Sequence, residues 1–150
     1  MEILIERIGE DLKQALKEGD EIKVSTLRFL ISKINNSKIA KGKDLTDEEI
    51  IGEIAKEVKR HQESIEAYKK GNRADLVDKE GKELAILKSY LPEPLTDEEL
   101  ETMVDEAISL LDAKSPNDSG RVIKAVLSSA SIRADGAKVA QIVKKKLAVA

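Results

Sequence analysis

The chain has 150 residues, with 26 basic and 29 acidic side chains, only three aromatics and no cysteine. Charges so nearly balanced give a weak overall field, so composition does not announce a nucleic-acid binder. The lack of cysteine excludes disulfides, thiolate chemistry and Cys-based zinc sites. Ile, Leu, Val, Ala, Lys and Glu dominate, a composition of helices rather than strands, and the interior has to rest on aliphatic packing.

The N-terminal stretch MEILIERIGEDLKQ alternates charged with apolar residues. It lacks the apolar core and cleavage site of a signal peptide, and no apolar run approaches the roughly 20 residues of a membrane span. A cytoplasmic protein without membrane association is expected. Ile5, Ile8, Leu12, Ala15 and Leu16 recur at helical spacing up to Gly19-Asp20, predicting a first helix from about residue 2 to 18. Val24, Leu27, Leu30, Ile31 and Ile34 line a second, which stops near residue 40 before Lys41-Gly42-Lys43-Asp44.

Thr46-Asp47-Glu48-Glu49 fits a capping box and opens a long third helix. Its stripe is Ile51, Ile54, Val58, His61, Ile65 and Tyr68, and Gly71-Asn72 suits a left-handed cap. Asp75 to Tyr90 reads as a fourth helix, weakened at Gly81 by about 1 kcal/mol relative to Ala.

Leu91-Pro92-Glu93-Pro94-Leu95 resists helix, since each proline removes a donor and pushes its predecessor toward extended geometry. The expected fold is all-α, with an N-terminal domain of about four helices over 1–91 and a three-helix C-terminal domain over 95–150. Thr96-Asp97-Glu98-Glu99 repeats the capping box before Leu100, Met103, Val104, Ala107, Ile108 and Leu111. Ser115 as cap and Pro116 at the first helical position open the next helix, with Val122, Ile123, Val126, Leu127 and Ala130 inward. A last helix after Arg133-Ala134-Asp135-Gly136 carries Val139, Ile142, Val143 and Leu147.

The sequence offers few groups for chemistry. His61 is the sole histidine; Glu57 lies at i−4, but no Glu-x-x-His pattern and no second histidine complete a metal site. It reads as an ordinary half-buried or surface histidine, with no metal and no cofactor implied. The serines of Ser128-Ser129-Ala130-Ser131 lack a Gly-x-Ser-x-Gly elbow and read as a helix end. The acids from Asp97 to Glu106 read as a charged first turn suited to the helix dipole, and no phosphate loop or dinucleotide fingerprint is present. No catalytic residue is assigned.

Charge distribution is more informative. Residues 95–120 carry 1 basic and 8 acidic groups, and residues 121–150 carry 7 and 1. Either the acidic and basic segments pair internally as salt-bridged helices, or the basic block meets an anionic partner. Under the second reading the candidate nucleic-acid contacts are Arg121, Lys124, Arg133, Gly136, Lys138, Lys144 and Lys145, with Lys146 beside them. Arg121, Lys124, Arg133 and Lys138 would then flank the Asp135-Gly136 turn, where helix N–H groups also favour an anion.

Several motifs in fixed order carry a resemblance to a known family. They are Asp11-Leu12-Lys13 with Ala15; Thr26-Leu27-Arg28; Leu45 to Glu49; Arg73 with Asp75-Leu76; Lys79-Glu80, Glu83-Leu84 and Leu87; Tyr90-Leu91-Pro92, Leu95 and Glu99; and Ala134-Asp135-Gly136. In these the chain resembles the YqeY-like family, whose relatives include the tail domain of the aspartyl/glutamyl-tRNA amidotransferase. The resemblance implies a helical lobe followed by a three-helix lobe of the kind that leans on tRNA in the amidotransferase. It implies tRNA, or an enzyme of tRNA modification or aminoacylation, as partner. The family carries the label of a carbon–nitrogen ligase with glutamine as amide-nitrogen donor. Since no amidase nucleophile or acyl-activating core can be found in the residues, the implied role is an accessory, non-catalytic one. The alternative is a helical protein-interaction module without nucleic-acid binding.

Overall fold

A computed structural model describes residues 3–148. The chain is all-α, and among the described residues there is no strand. The helices are α1 (Ile3–Glu18), α2 (Glu21–Lys41), α3 (Asp47–Lys70), α4 (Ala74–Lys88), α5 (Asp97–Leu111), α6 (Ser119–Ala130) and α7 (Gly136–Ala148). Short 3₁₀ turns at Pro116–Asp118 and Ser131–Arg133 lead into and out of α6. Residue 2, expected to begin the first helix, lies outside the described residues.

The chain divides into two compact units, Met1–Leu91 and Pro92–Ala150. In the first, α3 packs most extensively on α4, α1 on α2, and α2 also on α4. Its core is built of large aliphatics, with Ile8, Leu27, Leu30, Ile50, Ile54 and Leu87 all but withdrawn from solvent. Burying each such side chain contributes about 1.5–3 kcal/mol. In the second unit α6 packs on both α5 and α7. Its core is made of smaller side chains: Val104, Val122, Val126, Val139 and Val143 around Leu100 and Leu147.

Helix boundaries follow local chemistry. Both capping boxes form: the Thr46 hydroxyl accepts from the Glu49 N–H at 3.2 Å and Glu49 accepts from the Thr46 N–H at 3.2 Å. At the start of α5 the corresponding distances between Thr96 and Glu99 are 3.1 and 2.9 Å. Asp20 caps α2 by accepting from the Lys23 N–H at 3.1 Å, and Gly42 ends it at φ 82°, a value that suits a residue without Cβ.

α3 ends with a left-handed residue as expected, Asn72 (φ 54°), while Gly71 stays at φ −87°. Two ends differ from expectation. α4 stops at Lys88, two residues early, because Pro92 bars continuation and Ser89 and Tyr90 close the turn on carbonyls of the last turn. Ser115 makes no side-chain cap, and Pro116 starts a 3₁₀ turn instead of α6. The Asp118 carboxylate binds the loop there, accepting from the Lys114 N–H at 3.0 Å.

Several residues that carry the family resemblance hold the first unit together. The Tyr90 hydroxyl donates to Asp11 Oδ2 at 2.5 Å, and the Arg7 guanidinium lies 4.9 Å from the centre of the Tyr90 ring. Burial, then the bond to Asp11, pushes the Tyr90 phenol well above its ordinary value. Arg73 forks onto both oxygens of Asp75 at 3.1 and 3.2 Å, just ahead of α4.

Candidate functional site

Of the four cations expected to flank the Asp135-Gly136 turn, Arg133 and Lys138 lie next to it along the chain and Arg121 does not. Arg121 lies near the start of α6, on the order of 14 Å along the helix from its end at Ala130. Its guanidinium pairs with Asp118 at 2.9 Å and reaches the Leu111 carbonyl at 3.5 Å. The hydrogen bond from Lys114, then that from Arg121, holds the Asp118 carboxyl below the usual range. Arg133 does sit at the turn, where it is structural. Its Nε donates to the Glu93 carbonyl at 2.9 Å, and its own carbonyl accepts from the Leu95 N–H at 2.9 Å, tying the proline segment to the α6–α7 turn.

At the start of α7 the Asp135 carboxylate takes one of the helix N–H groups, its Oδ1 accepting from the Ala137 N–H at 3.0 Å. Gly136 is the first residue of α7, and a Cβ there would meet Leu127 at an ordinary 3.9 Å.

The rest of the basic block divides in two. Asp97, Glu101 and Asp105 recur every four residues along α5, and Lys138, Lys145 and Lys146 share the facing stripe of α7. Lys138 pairs with Asp97, and Lys146 pairs with Asp105 at 2.7 Å. The hydrogen bond to Asp105 leads in raising the Lys146 ammonium above its ordinary value. Lys145 lines the groove between these helices together with Glu101 and Asp105. Internal pairing of the acidic and basic segments therefore absorbs Arg121, Lys138 and Lys146. Among the described residues, Lys124, Lys144 and Lys145 are exposed and form no ion pair.

A second site lies in the first unit, and sequence reading missed it. α2, α3 and α4 line a half-open cavity of about 350 Å³, bordered among others by Thr26, Phe29, Glu57, His61, Glu80 and Glu83. Buried positions on α3 run Ile50, Ile54, Glu57 and Val58, so a carboxylate occupies a core position of the stripe. Glu57 is only 4% exposed. Its Oε1 lies 3.5 Å from Arg60, and its Oε2 is buried with no hydrogen-bond partner.

His61 folds back along α3, and its Nδ1 donates to the Glu57 carbonyl at 2.8 Å. A carbonyl only accepts, so Nδ1 carries a proton; the carboxylates that face Nε2 also only accept, so their contact takes a second proton on Nε2, the one a cation bound there would displace. Nε2 lies 3.0 Å from Glu83 Oε2 and 3.5 Å from Glu80 Oε2. His61 is half-buried, as expected, and the partners that the sequence did not reveal come from α4, 19 and 22 residues further along the chain, where only tertiary packing brings them. A carboxylate at a core position of α3 and the Glu80-x-x-Glu83 pair on one face of α4 were the available signals. Thr26, Lys79, Glu80, Glu83 and Leu87, all among the residues that carry the resemblance, line this one cavity.

Fold and sites together define an all-α protein of two helical units, one bearing a carboxylate–histidine cavity and the other pairing an acidic helix with a basic one. The chain belongs to the YqeY-like family, whose model, described as Yqey-like protein, matches residues 5–147. It is 34% identical over 116 residues to the altered inheritance of mitochondria protein 41, mitochondrial, of Lachancea thermotolerans, covering 75% of this chain and 62% of that protein. It is 34% identical over 110 residues to the protein of the same name in Vanderwaltozyma polyspora, covering 71% and 60%. Against the Pyrenophora tritici-repentis protein the identity is 29% over 134 residues, covering 88% and 74%. The chain thus spans 62% and 60% of the length of the first two relatives.

These names overturn the expectation of a cytoplasmic protein, since all three relatives are named as mitochondrial. That expectation rested on the lack of an export or membrane signal, and the packing of a helical core carries no information about compartment.

Proposed function

We propose that this YqeY-family chain is an accessory, non-catalytic factor that associates with tRNA, directly or through an enzyme of tRNA aminoacylation or modification. The observation that supports the reading is the exposed trio Lys124, Lys144 and Lys145, whose ammonium groups no carboxylate of the described residues neutralises. Lysines of this kind meet phosphates as point charges. Residues 95–150 contain no aromatic, so bases find no stacking platform, and recognition runs through backbone charge and shape. The ligase label of the family enters this proposal only as the reaction such a factor assists.

Binding of the full chain to bulk tRNA, beside the variant K124A/K144A/K145A, tests the reading. Micromolar binding that disappears in the variant supports it. Absence of binding at low salt sinks it.

A second reading, a protein-interaction module without nucleic acid, is favoured by the internal pairing of Arg121, Lys138 and Lys146. Exposed apolar side chains on α2, Phe29 at 48% and Ile39 at 78%, also favour it. An interface on apolar anchors responds little to salt, whereas phosphate contacts weaken steeply.

A further inference from the structure

We propose that Glu80 and Glu83 of α4, with His61 of α3, form a binding site for a divalent transition-metal ion of the zinc class, open toward the α2–α3–α4 cavity. The proposal concerns the first unit alone and does not rest on the tRNA reading.

Three observations carry it. The first is donor geometry. One donor atom from each residue can be chosen so that all lie within 4.8 Å of one another. Nε2 stands 3.0 and 3.5 Å from the two carboxylate oxygens. Two ligands bonded at about 2.0–2.2 Å and separated by tetrahedral or octahedral angles lie about 3.0–3.5 Å apart, so both spacings match edges of a coordination polyhedron.

The second is preorganisation. Metal-ligating imidazoles characteristically donate their other ring N–H to a carbonyl or carboxylate, which fixes tautomer and ring plane. His61 does so through Nδ1 to the Glu57 carbonyl at 2.8 Å. Its side chain is 12% exposed, and those of Glu80 and Glu83 are 20% and 16% exposed, so the donors are held among packed helices.

The third is independent of the cluster. Glu57, 4% exposed, lines the same cavity, and its Oε2 is buried without a hydrogen-bond partner. An orphaned buried oxygen of a charged group costs at least about 1–3 kcal/mol. A hydrated cation at His61, Glu80 and Glu83 supplies what that oxygen lacks, either the ion's charge or a proton of a bound water.

The donor set narrows the ion. One imidazole nitrogen with two carboxylates suits zinc, cobalt, nickel, manganese or ferrous iron better than magnesium or calcium, which favour oxygen throughout. Three protein ligands leave at least one position for solvent from the cavity, the arrangement of an open site rather than a closed structural one.

The test uses the full chain, freed of metal by chelation and titrated with Zn²⁺ by calorimetry, with nitrogen-15 NMR of the imidazole as second readout. Because His61 is the only histidine, its ring signals need no assignment. The expected result is one equivalent bound at micromolar affinity or tighter, with the Nε2 signal displaced as Zn²⁺ saturates. E80Q and E83Q should each weaken binding by about tenfold or more. The proposal is overturned if no saturable binding occurs up to millimolar Zn²⁺, if Zn²⁺ binds while the ring signals stay in place, or if the double variant E80Q/E83Q, shown folded by circular dichroism, binds as well as the original chain. Should that variant not fold, the displacement or constancy of the His61 signals in the unaltered chain decides.

Discussion

Thr46-Asp47-Glu48-Glu49 and Thr96-Asp97-Glu98-Glu99 open α3 and α5 with the same capping box, yet the acids that follow go to different places. On α3, Glu57 falls in the buried stripe and faces a cavity that also receives His61, Glu80 and Glu83. On α5, Asp97 and Asp105 stay at the surface and pair with Lys138 and Lys146 of α7. The cores differ in the same sense. Large Leu and Ile side chains fill the first unit and leave room for a cavity, while valines fill the second. A charged residue at a core position must find partners there, whereas one on a solvated flank gains little from its neighbour, about 0–1 kcal/mol. Position relative to the apolar stripe thus separates a prospective site from a surface zipper.

The largest expected effect lies in the cores. Leu27→Ala should destabilise the first unit by about 2–5 kcal/mol, and Val126→Ala the second by about 2 kcal/mol, because fewer buried methyl groups are lost. Denaturant melts of both variants check this, and equal losses would break the contrast between the cores. Next comes Glu57→Gln, which removes the buried charge while keeping its shape. It should stabilise the metal-free chain by about 1–2 kcal/mol. A loss of stability in the same melt would mean that the pairing with Arg60 outweighs the burial.

Smaller still are the two caps. Thr46→Ala and Thr96→Ala should each cost about 1 kcal/mol, and unequal losses would show that the identical boxes do different jobs.

The smallest effect concerns acid. Asp118 is held below its ordinary carboxyl value of 3.8, so the stability it contributes is complete above about pH 4 and fades as pH falls through its lowered folded value. Asp118→Asn should lower stability slightly in the neutral range and leave it almost unchanged near pH 2, flattening that part of the acid limb, as a series of melts between pH 2 and 7 would show.

The all-α fold was legible because apolar spacing and capping chemistry act within a few residues of each other: Thr46 with Glu49, Thr96 with Glu99 and Asp20 with Lys23 are all local. Ser115 misled for the opposite reason. It had the chemistry of a cap, but Pro116 set a 3₁₀ turn and Asp118 took over the loop's hydrogen bonds. The His61 cavity could not be read locally, since its ligating partners lie 19 and 22 residues away on another helix. The same holds for Lys146, whose partner Asp105 is 41 residues distant. Charge counts revealed an acidic and a basic segment, but only packing distinguishes the lysines that are paired from Lys124, Lys144 and Lys145.

That division is tested most directly by the salt dependence of tRNA binding to the unaltered chain. With three free lysines, log K against log salt should fall with a slope of about −2 to −3. A slope of about −4 to −5 or steeper would mean that Arg121, Lys138 and Lys146 leave Asp118, Asp97 and Asp105 to meet phosphate, and would contradict the account of a basic block half consumed by its own acidic helix.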